Sequence, residues 1–343
     1  MSIIRYRSDE PIIQADKPWE EGSFIRPVSV IPEPDGSRLR LYYLVWHRPD
    51  FTKNLLCVAY STDAFHWEKP DLGEGNNIVL RPAGRRIGWG PFHPTQVIYD
   101  PADEDESMRW KCSYWGKPAP KEYDGTCLAA SPDGYGFRDI HGRPISTNQN
   151  DGMCLIDVRA PVPVPWLKSK YLIYQQTWRY NPNLPTDKDN LRGMQRGIIV
   201  WSGEAFTGRW IGPISVLEAD ADDPPDFQIY WLSVFHTKNG YGGWIHCHHT
   251  VSQTMDMQLV SSPDGFAWTR EFDREPVLSP GGEGRFDAGM VATYCGPFRW
   301  QGKVYNLYSG QSWTHDQKPR YEGDEMSAGT GIIELDPAAV DLP

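Results

Sequence analysis

The chain has 343 residues and a formal net charge of −11, and aromatic side chains make up 13% of it. So many large aromatic residues exclude a disordered chain, and the 32 glycines and 30 prolines spread along the sequence disfavour a helical bundle. The acidic balance, with no dense stripe of Lys and Arg, argues against a nucleic-acid partner.

Targeting signals and cysteine usage indicate the cellular compartment. Apolar runs stay well short of the ~18 residues that a membrane span requires, so no membrane partner is expected. The first eight residues lack the apolar core of a signal peptide. The six cysteines contain no CxxC pair, which is typical of reduced thiols. We therefore expect a cytoplasmic protein without disulfide bonds.

A pattern of an apolar strand, a serine, an acidic turn and an aromatic residue occurs four times. The copies span 55–67, 126–137, 197–210 and 257–268, and the third is degenerate. In a Pro-Asp-Gly turn, proline presets φ, aspartate bonds its own backbone and glycine adopts a positive φ. Each copy therefore predicts a hairpin formed by the third and fourth strands of an antiparallel unit.

A second element precedes each hairpin and recurs once more near the end of the chain. It consists of an apolar strand, a turn and a strand rich in Tyr and Trp, at 24–46, 95–115, 157–178, 228–245 and 290–308. Short strands of alternating character at this spacing predict an all-β protein.

Five units of about 69 residues each predict one five-bladed β-propeller over 1–343, with about four antiparallel strands in each blade. The predicted blades cover 17–75, 89–145, 151–215, 224–275 and 285–338. The last unit lacks the acidic turn, so the strand at 329–335 or the segment at 12–16 is expected to complete the closing blade. A pair of β-sandwiches or a β-helix is the alternative, but neither naturally repeats one hairpin signature at near-constant spacing.

Several features resemble the five-bladed propeller glycosidases of glycoside hydrolase families 43, 32 and 68. They are the Ser-Pro-Asp-Gly turns at 131–134 and 262–265, the link at 76–80, and Asp157, interpreted as opening the third unit. The resemblance covers about 19–335 and is architectural, because the Trp-Met-Asn-Asp-Pro-Asn-Gly motif of the fructosidases and a clean Glu-Cys acid/base motif are missing. It implies an enzyme that cleaves or transfers a glycosidic bond, furanosidic as one option, in a small carbohydrate.

The resemblance also implies functional carboxylates near the starts of the innermost strands. The candidates are Glu21, Asp157, Asp226 and Asp287, with Glu20 as the alternative to Glu21. Glycoside hydrolysis needs one protonated and one ionised carboxyl group, and crowding in a funnel separates their pKa values. The structural alternative is that each acid caps a loop or pairs with an arginine.

Candidate substrate-binding residues lie in or near the same segments. Arg159 shares a strand face with Asp157 and could hold it ionised or bind a substrate. Histidines could donate to sugar hydroxyls, and tryptophans could form a platform for a sugar ring, although each alone is more often structural. The full set is His93, Arg159, Gln228, Trp231, Trp89, Trp178, His236 and His315.

The sequence His-Cys-His-His at 246–249 resembles part of a metal site. His246 and His248 share one face of a strand, but no third ligand is evident nearby, so neither a metal nor another cofactor is expected.

Two other functions stay open beside the glycosidase. One is a non-catalytic propeller that binds a sugar or metabolite, and the other is a propeller enzyme with transfer, elimination or isomerisation chemistry.

Overall fold

The computed structural model describes residues 3–47, 50–83, 92–117, 124–147, 153–159, 162–163, 167–185 and 189–343. Within these residues the chain forms twenty-one β-strands and four single-turn 3-10 helices, at Pro18–Glu20, Phe51–Lys53, Glu106–Met108 and Phe272–Arg274. None of these helices is long and apolar enough to span a membrane. The all-β prediction is confirmed, and all six cysteines are buried free thiols.

Three sheets each contain four antiparallel strands in chain order. The first contains β2 (Ser23–Pro32), β3 (Leu39–His47), β4 (Leu55–Ser61) and β5 (Ile78–Leu80). The second contains β6 (His93–Tyr99), β7 (Trp110–Gly116), β8 (Gly125–Ser131) and β9 (Arg138–Asp139). The third contains β10 (Met153–Asp157), β11 (Tyr171–Tyr180), β12 (Met194–Gly203) and β13 (Trp210–Leu217).

The fourth sheet has nine strands in two groups. One group contains β14 (Phe227–Thr237), β15 (Gly240–His249), β16 (Thr254–Ser262) and β17 (Thr269–Arg270). The other contains β18 (Met290–Ala292), β19 (Phe298–Trp300), β20 (Lys303–Gln311), β21 (Ala328–Leu335) and β1 (Ile4–Arg7). A single parallel pair, Met255 with Met290, joins the groups, so the structure contains four sheets rather than five separate ones.

The two ends of the chain meet in this sheet. The strand β1 pairs with β21, so the sequence prediction for the closing unit is corrected in its N-terminal part. The added strand is Ile4–Arg7, and the predicted segment contributes only an isolated bridge between Ile13 and Thr330. Pairing of residues more than 300 positions apart gives no local sequence signal.

The Ser-x-Asp-Gly turns form as the sequence predicts. At the β8–β9 turn, Gly134 N–H donates to Ser131 Oγ at 3.0 Å and Tyr135 N–H donates to Asp133 Oδ1 at 2.9 Å. Gly134 has a φ of 81°, and a β-carbon there would overlap the hydroxyl of Tyr42. These acidic residues are therefore structural, because they close hairpins on the neighbouring sheet.

The first strands of the five strand groups, β2, β6, β10, β14 and β18, run in the same direction. Cys154 contacts Val234 and Asp157 contacts His236, so β10 and β14 run in the same direction. The parallel pair of β16 with β18 gives β18 the direction of β14. We call these five strands the inner strands, and their two ends the starting end and the finishing end.

Candidate functional site

An aromatic layer fills the space between the inner strands near their starting end. It consists of His93, Trp231, Tyr294, Trp46 and Arg26, all buried. The rings of Trp231 and Tyr294 have centroids 4.4 Å apart, and His93 lies 5.7 Å from Trp231. The Arg26 guanidinium stacks 4.3 Å from the Trp46 ring and donates to Tyr294 Oη at 3.1 Å. This layer separates the starting end from the finishing end.

His246 belongs to the packing of this layer. Its ring stacks on Trp231, and its Nε2 lies 3.0 Å from the backbone N–H of Thr293. Burial lowers the pKa of His246 to about 3, so the imidazole is neutral at physiological pH. A neutral histidine in this place orients the neighbouring backbone.

A group of buried and partly buried polar side chains lies beside the start of β14. We call Asp189, Arg196, Gln228, His248 and His315 the polar cluster. Arg196 donates to Asp189 Oδ2 at 2.7 Å and to Gln228 Oε1 at 2.6 Å. His315 Nδ1 lies 3.5 Å from Asp189 Oδ1, and His248 Nδ1 lies 3.5 Å from Arg196 Nη1. The hydrogen-bonded ion pair makes burial of the charges tolerable.

Strand pairing and loops bring these residues together from three strand groups. Gln228 on β14 lies opposite His248 on β15. Asp189 comes from the connection between β11 and β12, and His315 follows β20, where its N–H donates to Gln253 O at 2.7 Å. Four of the five residues are thus separated in sequence by at least 20 positions, and sequence spacing could not reveal the cluster.

Tyr230 connects the polar cluster to the aromatic layer. The register of β14 with β15 shifts between Ile229 and Trp231, and such a bulge re-aims side chains. The Tyr230 ring lies 4.9 Å from the Arg196 guanidinium, and its hydroxyl is 3.2 Å from His315 Nε2. Tyr230 itself is only partly buried.

The two imidazoles of the polar cluster are held neutral. Burial keeps the pKa of His248 and that of His315 below the ordinary histidine value, and the positive charge of Arg196 adds to the effect. Neutral imidazoles can accept a proton, donate a hydrogen bond or bind a metal ion through a ring nitrogen.

Three of the predicted site residues lie at the finishing end instead. Asp157 is the last residue of β10, not the opening of its unit, and its carboxylate binds His236 Nε2 at 2.8 Å and Arg159 Nε at 2.8 Å. Burial alone would raise the pKa of Asp157, but His236 and Arg159 outweigh it and hold that pKa below the ordinary value. From Gln228 to His236, β14 advances about 26 Å at the usual rise per residue.

This separation bears directly on the predicted acid pair. Glycosidases hold their two carboxyl groups about 5 to 9.5 Å apart. Asp157 is bound to His236 at the finishing end, whereas Asp226 precedes β14 at the starting end. Asp157 and Asp226 therefore lie at opposite ends of β14, farther apart than this range.

Asp287 lies in a structural ion cluster. Its carboxylate is fully buried and accepts from Arg7 Nε at 3.0 Å, Arg285 Nε at 3.1 Å and Tyr308 Oη at 2.7 Å. Arg7 comes from β1, the outermost strand of the same sheet. Asp287 therefore pairs with arginines, which is the structural alternative for this residue.

Glu20 and Glu21 are distinguished by burial. Glu20 is fully buried and accepts from Tyr43 Oη at 2.6 Å and Lys69 Nζ at 2.6 Å, which makes it a structural anchor. Glu21 is exposed in the turn before β2. Asp226, half-buried, accepts from Thr250 N–H through its backbone oxygen at 2.9 Å. Among the described residues, Glu21 and Asp226 are thus the two candidate acids at the starting end that form no ion pair with an arginine or a lysine.

The predicted binding residues also divide between the two ends. His93, Trp231, Gln228 and His315 lie in the aromatic layer or the polar cluster. Trp178 reaches the same region, since its Nε1 donates to Gln176 Oε1 at 2.6 Å and Gln176 donates to the backbone of Tyr230. Trp89 lies outside the described residues. Sequence reasoning missed Arg26, Tyr294, Asp189 and Arg196, and only Arg196, a lone charge in the run 194–200, carried a local signal.

Comparison with known proteins gives structural matches only. No protein-family model matches the sequence, and no curated protein sequence matches it. A solved structure described as a glycoside hydrolase superposes with a TM-score of 0.63 at 13% identity, covering 100% of this chain and 95% of its own. A thermostable family-43 glycoside hydrolase gives a TM-score of 0.51 at 15% identity, covering 90% of this chain and 92% of its own.

The chain has the fold of these solved structures. This confirms the resemblance noted in the sequence. A third match is an N-acetylgalactosamine deacetylase from F. plautii, solved with blood group B trisaccharide, with a TM-score of 0.62 at 13% identity and 98% coverage of both chains. The fold is therefore shared by proteins described with different reactions, and the reaction has to be argued from this chain's own residues.

Proposed function

We propose that the chain is a five-bladed β-propeller enzyme that hydrolyses a glycosidic bond in a carbohydrate bound at the starting end of the inner strands. Five inner strands each begin a group of antiparallel strands, and β2 contacts β6, β6 contacts β10, and β10 contacts β14. Thr330 Oγ1 donates to Ile25 O at 2.8 Å, which joins the last group to the first. The nine-stranded sheet is then two blades linked by the Met255–Met290 pair.

One observation favours the starting end over the finishing end as the place where the carbohydrate binds. At the starting end, Arg196, His248 and His315 of the polar cluster surround the ring of Tyr230, next to Trp231 of the aromatic layer in the chain. Sugars are recognised by this combination, because their hydroxyls need donors and acceptors while their C–H faces pack on rings. The finishing end carries the structural hairpin turns and the Asp157–His236–Arg159 ion pairs.

Glu21 and Asp226 are the proposed reacting carboxyl groups. They precede β2 and β14, the inner strands of two blades that are not adjacent, so they approach the opening from different sides. One would protonate the leaving oxygen, and the other would act on the anomeric carbon directly or through water. Asp157 and Asp287 are excluded from this proposal, since one lies at the other end and the other is an ion-pair partner in the protein interior.

A second candidate reaction is hydrolysis of an acetamido group on a sugar. The match to an N-acetylgalactosamine deacetylase over 98% of this chain favours it. The polar cluster also offers neutral imidazoles, which can move protons in amide hydrolysis. In this case the carbohydrate remains the substrate and the glycosidic bond stays intact.

Product analysis in ¹⁸O-labelled water tests the proposed reaction. We expect the full chain, incubated with a panel of aryl furanosides, aryl pyranosides and N-acetylated oligosaccharides, to release a reducing sugar carrying one ¹⁸O atom. Label in released acetate would instead establish the deacetylase. Carbohydrate binding by calorimetry without any product after long incubation would contradict both and leave a binding protein. The matched blank is the double variant Glu21→Gln/Asp226→Asn.

A further inference from the structure

Three side chains of the polar cluster have the composition of a metal site. Asp189, His248 and His315 each offer one ligand atom, and these atoms all lie within 4.8 Å of one another. Tetrahedral zinc with bonds of about 2.0 to 2.2 Å holds its ligand atoms about 3.3 Å apart. Asp189 Oδ1 and His315 Nδ1 are already 3.5 Å apart, so a small inward shift completes the geometry.

We propose that Asp189, His248 and His315 bind a divalent first-row transition-metal ion, with Zn²⁺ as the reference ion. Two imidazoles and one carboxylate suit ions of this class and leave one or more positions open. An open position takes water or a substrate oxygen, which makes this a site of the catalytic type rather than a closed structural one. The inference concerns metal binding alone and does not depend on the proposed hydrolysis.

A buried nitrogen without a partner is the independent observation. His248 is fully buried, and its Nε2 has no hydrogen-bond partner in the described part of the chain. A buried polar atom without a hydrogen-bond partner destabilises the fold, and a bound ligand would satisfy it.

The neighbours of the triad fix its orientation. Arg196 donates to both carboxylate oxygens of Asp189, to Oδ2 at 2.7 Å and to Oδ1 at 3.3 Å, and Asn190 Oδ1 accepts from Arg196 Nη2 at 2.8 Å. The hydroxyl of Tyr230 lies 3.2 Å from His315 Nε2, on the side of the ring away from Asp189. Such outer contacts fix the ring orientation of ligating histidines. The positive charge of Arg196 opposes a second cation, so the site should be weaker than an all-acidic one.

No local sequence pattern indicates this site. Only His248 belongs to the His-Cys-His-His run, in which the paired histidine was expected to be His246. His246 binds the backbone of Thr293 instead. The other two ligands come from different strand groups, 59 and 67 positions away from His248 in the chain.

Metal titration of the tag-free full chain tests the proposal. After chelator treatment, we expect one Zn²⁺ per chain by calorimetry and one Co²⁺ with visible absorption bands. His248→Ala and His315→Ala should each weaken binding more than about 100-fold, because even outer-shell changes typically cost 10- to 100-fold. His249→Gln is the matched control. The His249 imidazole lies next to His248 in the chain but binds Asp256 Oδ2 at 2.6 Å, so its replacement should leave the metal affinity unchanged.

X-ray absorption of the zinc-loaded wild-type protein gives a readout that does not depend on the variants folding. Two imidazole ligands with one carboxylate support the site. Absence of stoichiometric binding, a different number of imidazoles, or His248→Ala and His315→Ala binding like the wild type would overturn it. Arg196 would then be the cation that organises Asp189 and both histidines.

Discussion

Replacing Asp226 by Asn is expected to lower kcat/KM on the best substrate of the panel by about 10³, because a positioned general acid or base contributes about 10²- to 10⁴-fold. The amide keeps the size of the carboxyl group but can neither hold nor release the proton. The side chain is half-buried and its Oδ2 contact with Val251 N is 3.4 Å, so the fold should not change. Initial rates at several substrate concentrations measure the effect.

Glu21→Gln should show a loss of similar size for the same reason. The control is Asp157→Asn, which removes an ion-paired carboxylate at the finishing end and should leave kcat/KM within about twofold. If Asp157→Asn were inactive while Asp226→Asn and Glu21→Gln kept full activity, the assignment of the site to the starting end would be wrong.

Replacing Asp287 by Asn is expected to lower the free energy of unfolding by about 3 kcal/mol, because breaking a buried ion pair leaves uncompensated charge in the interior. Arg7 and Arg285 would both lose their shared carboxylate. Their side chains are 23% and 26% exposed, so hydration offsets part of the lost stability. The expected loss in the free energy of unfolding therefore lies at the low end of the range for buried ion pairs. Denaturant unfolding with an unchanged m value measures it.

Asp226→Asn serves as the stability control, with an expected change within about 0.5 kcal/mol, as for most partly exposed positions. The folded fraction of Asp287→Asn should retain the wild-type kcat. A variant that unfolds like the wild type but has lost activity would show instead that Asp287 is a catalytic residue.

The repeated units of the fold were predictable because their signals are local. A Ser-Pro-Asp-Gly turn specifies its own hydrogen bonds within a few residues, as Ser131 and Asp133 show. Alternating apolar strands on both sides then predict a hairpin. What the sequence could not predict is the pairing of β1 with β21, since the partners lie at opposite ends of the chain.

The candidate site was harder to predict because equal-looking acids have different partners. Asp287 and Asp226 both precede an inner strand, but Arg7, which neutralises Asp287, lies 280 positions away. Asp157 was interpreted as opening its unit, whereas it is the last residue of β10. The polar cluster draws on a loop and on three strand groups, so no local pattern marks Asp189.

The most direct test of the account is a crystal structure of the Asp226→Asn variant with the best oligosaccharide of the panel bound. We predict a sugar ring at the starting end, packed on Tyr230 and hydrogen-bonded to the polar cluster, with the scissile oxygen within about 3 Å of residue 226, the reach of a proton-transferring group. Sugar bound at the finishing end beside Asp157 and His236 would contradict the account.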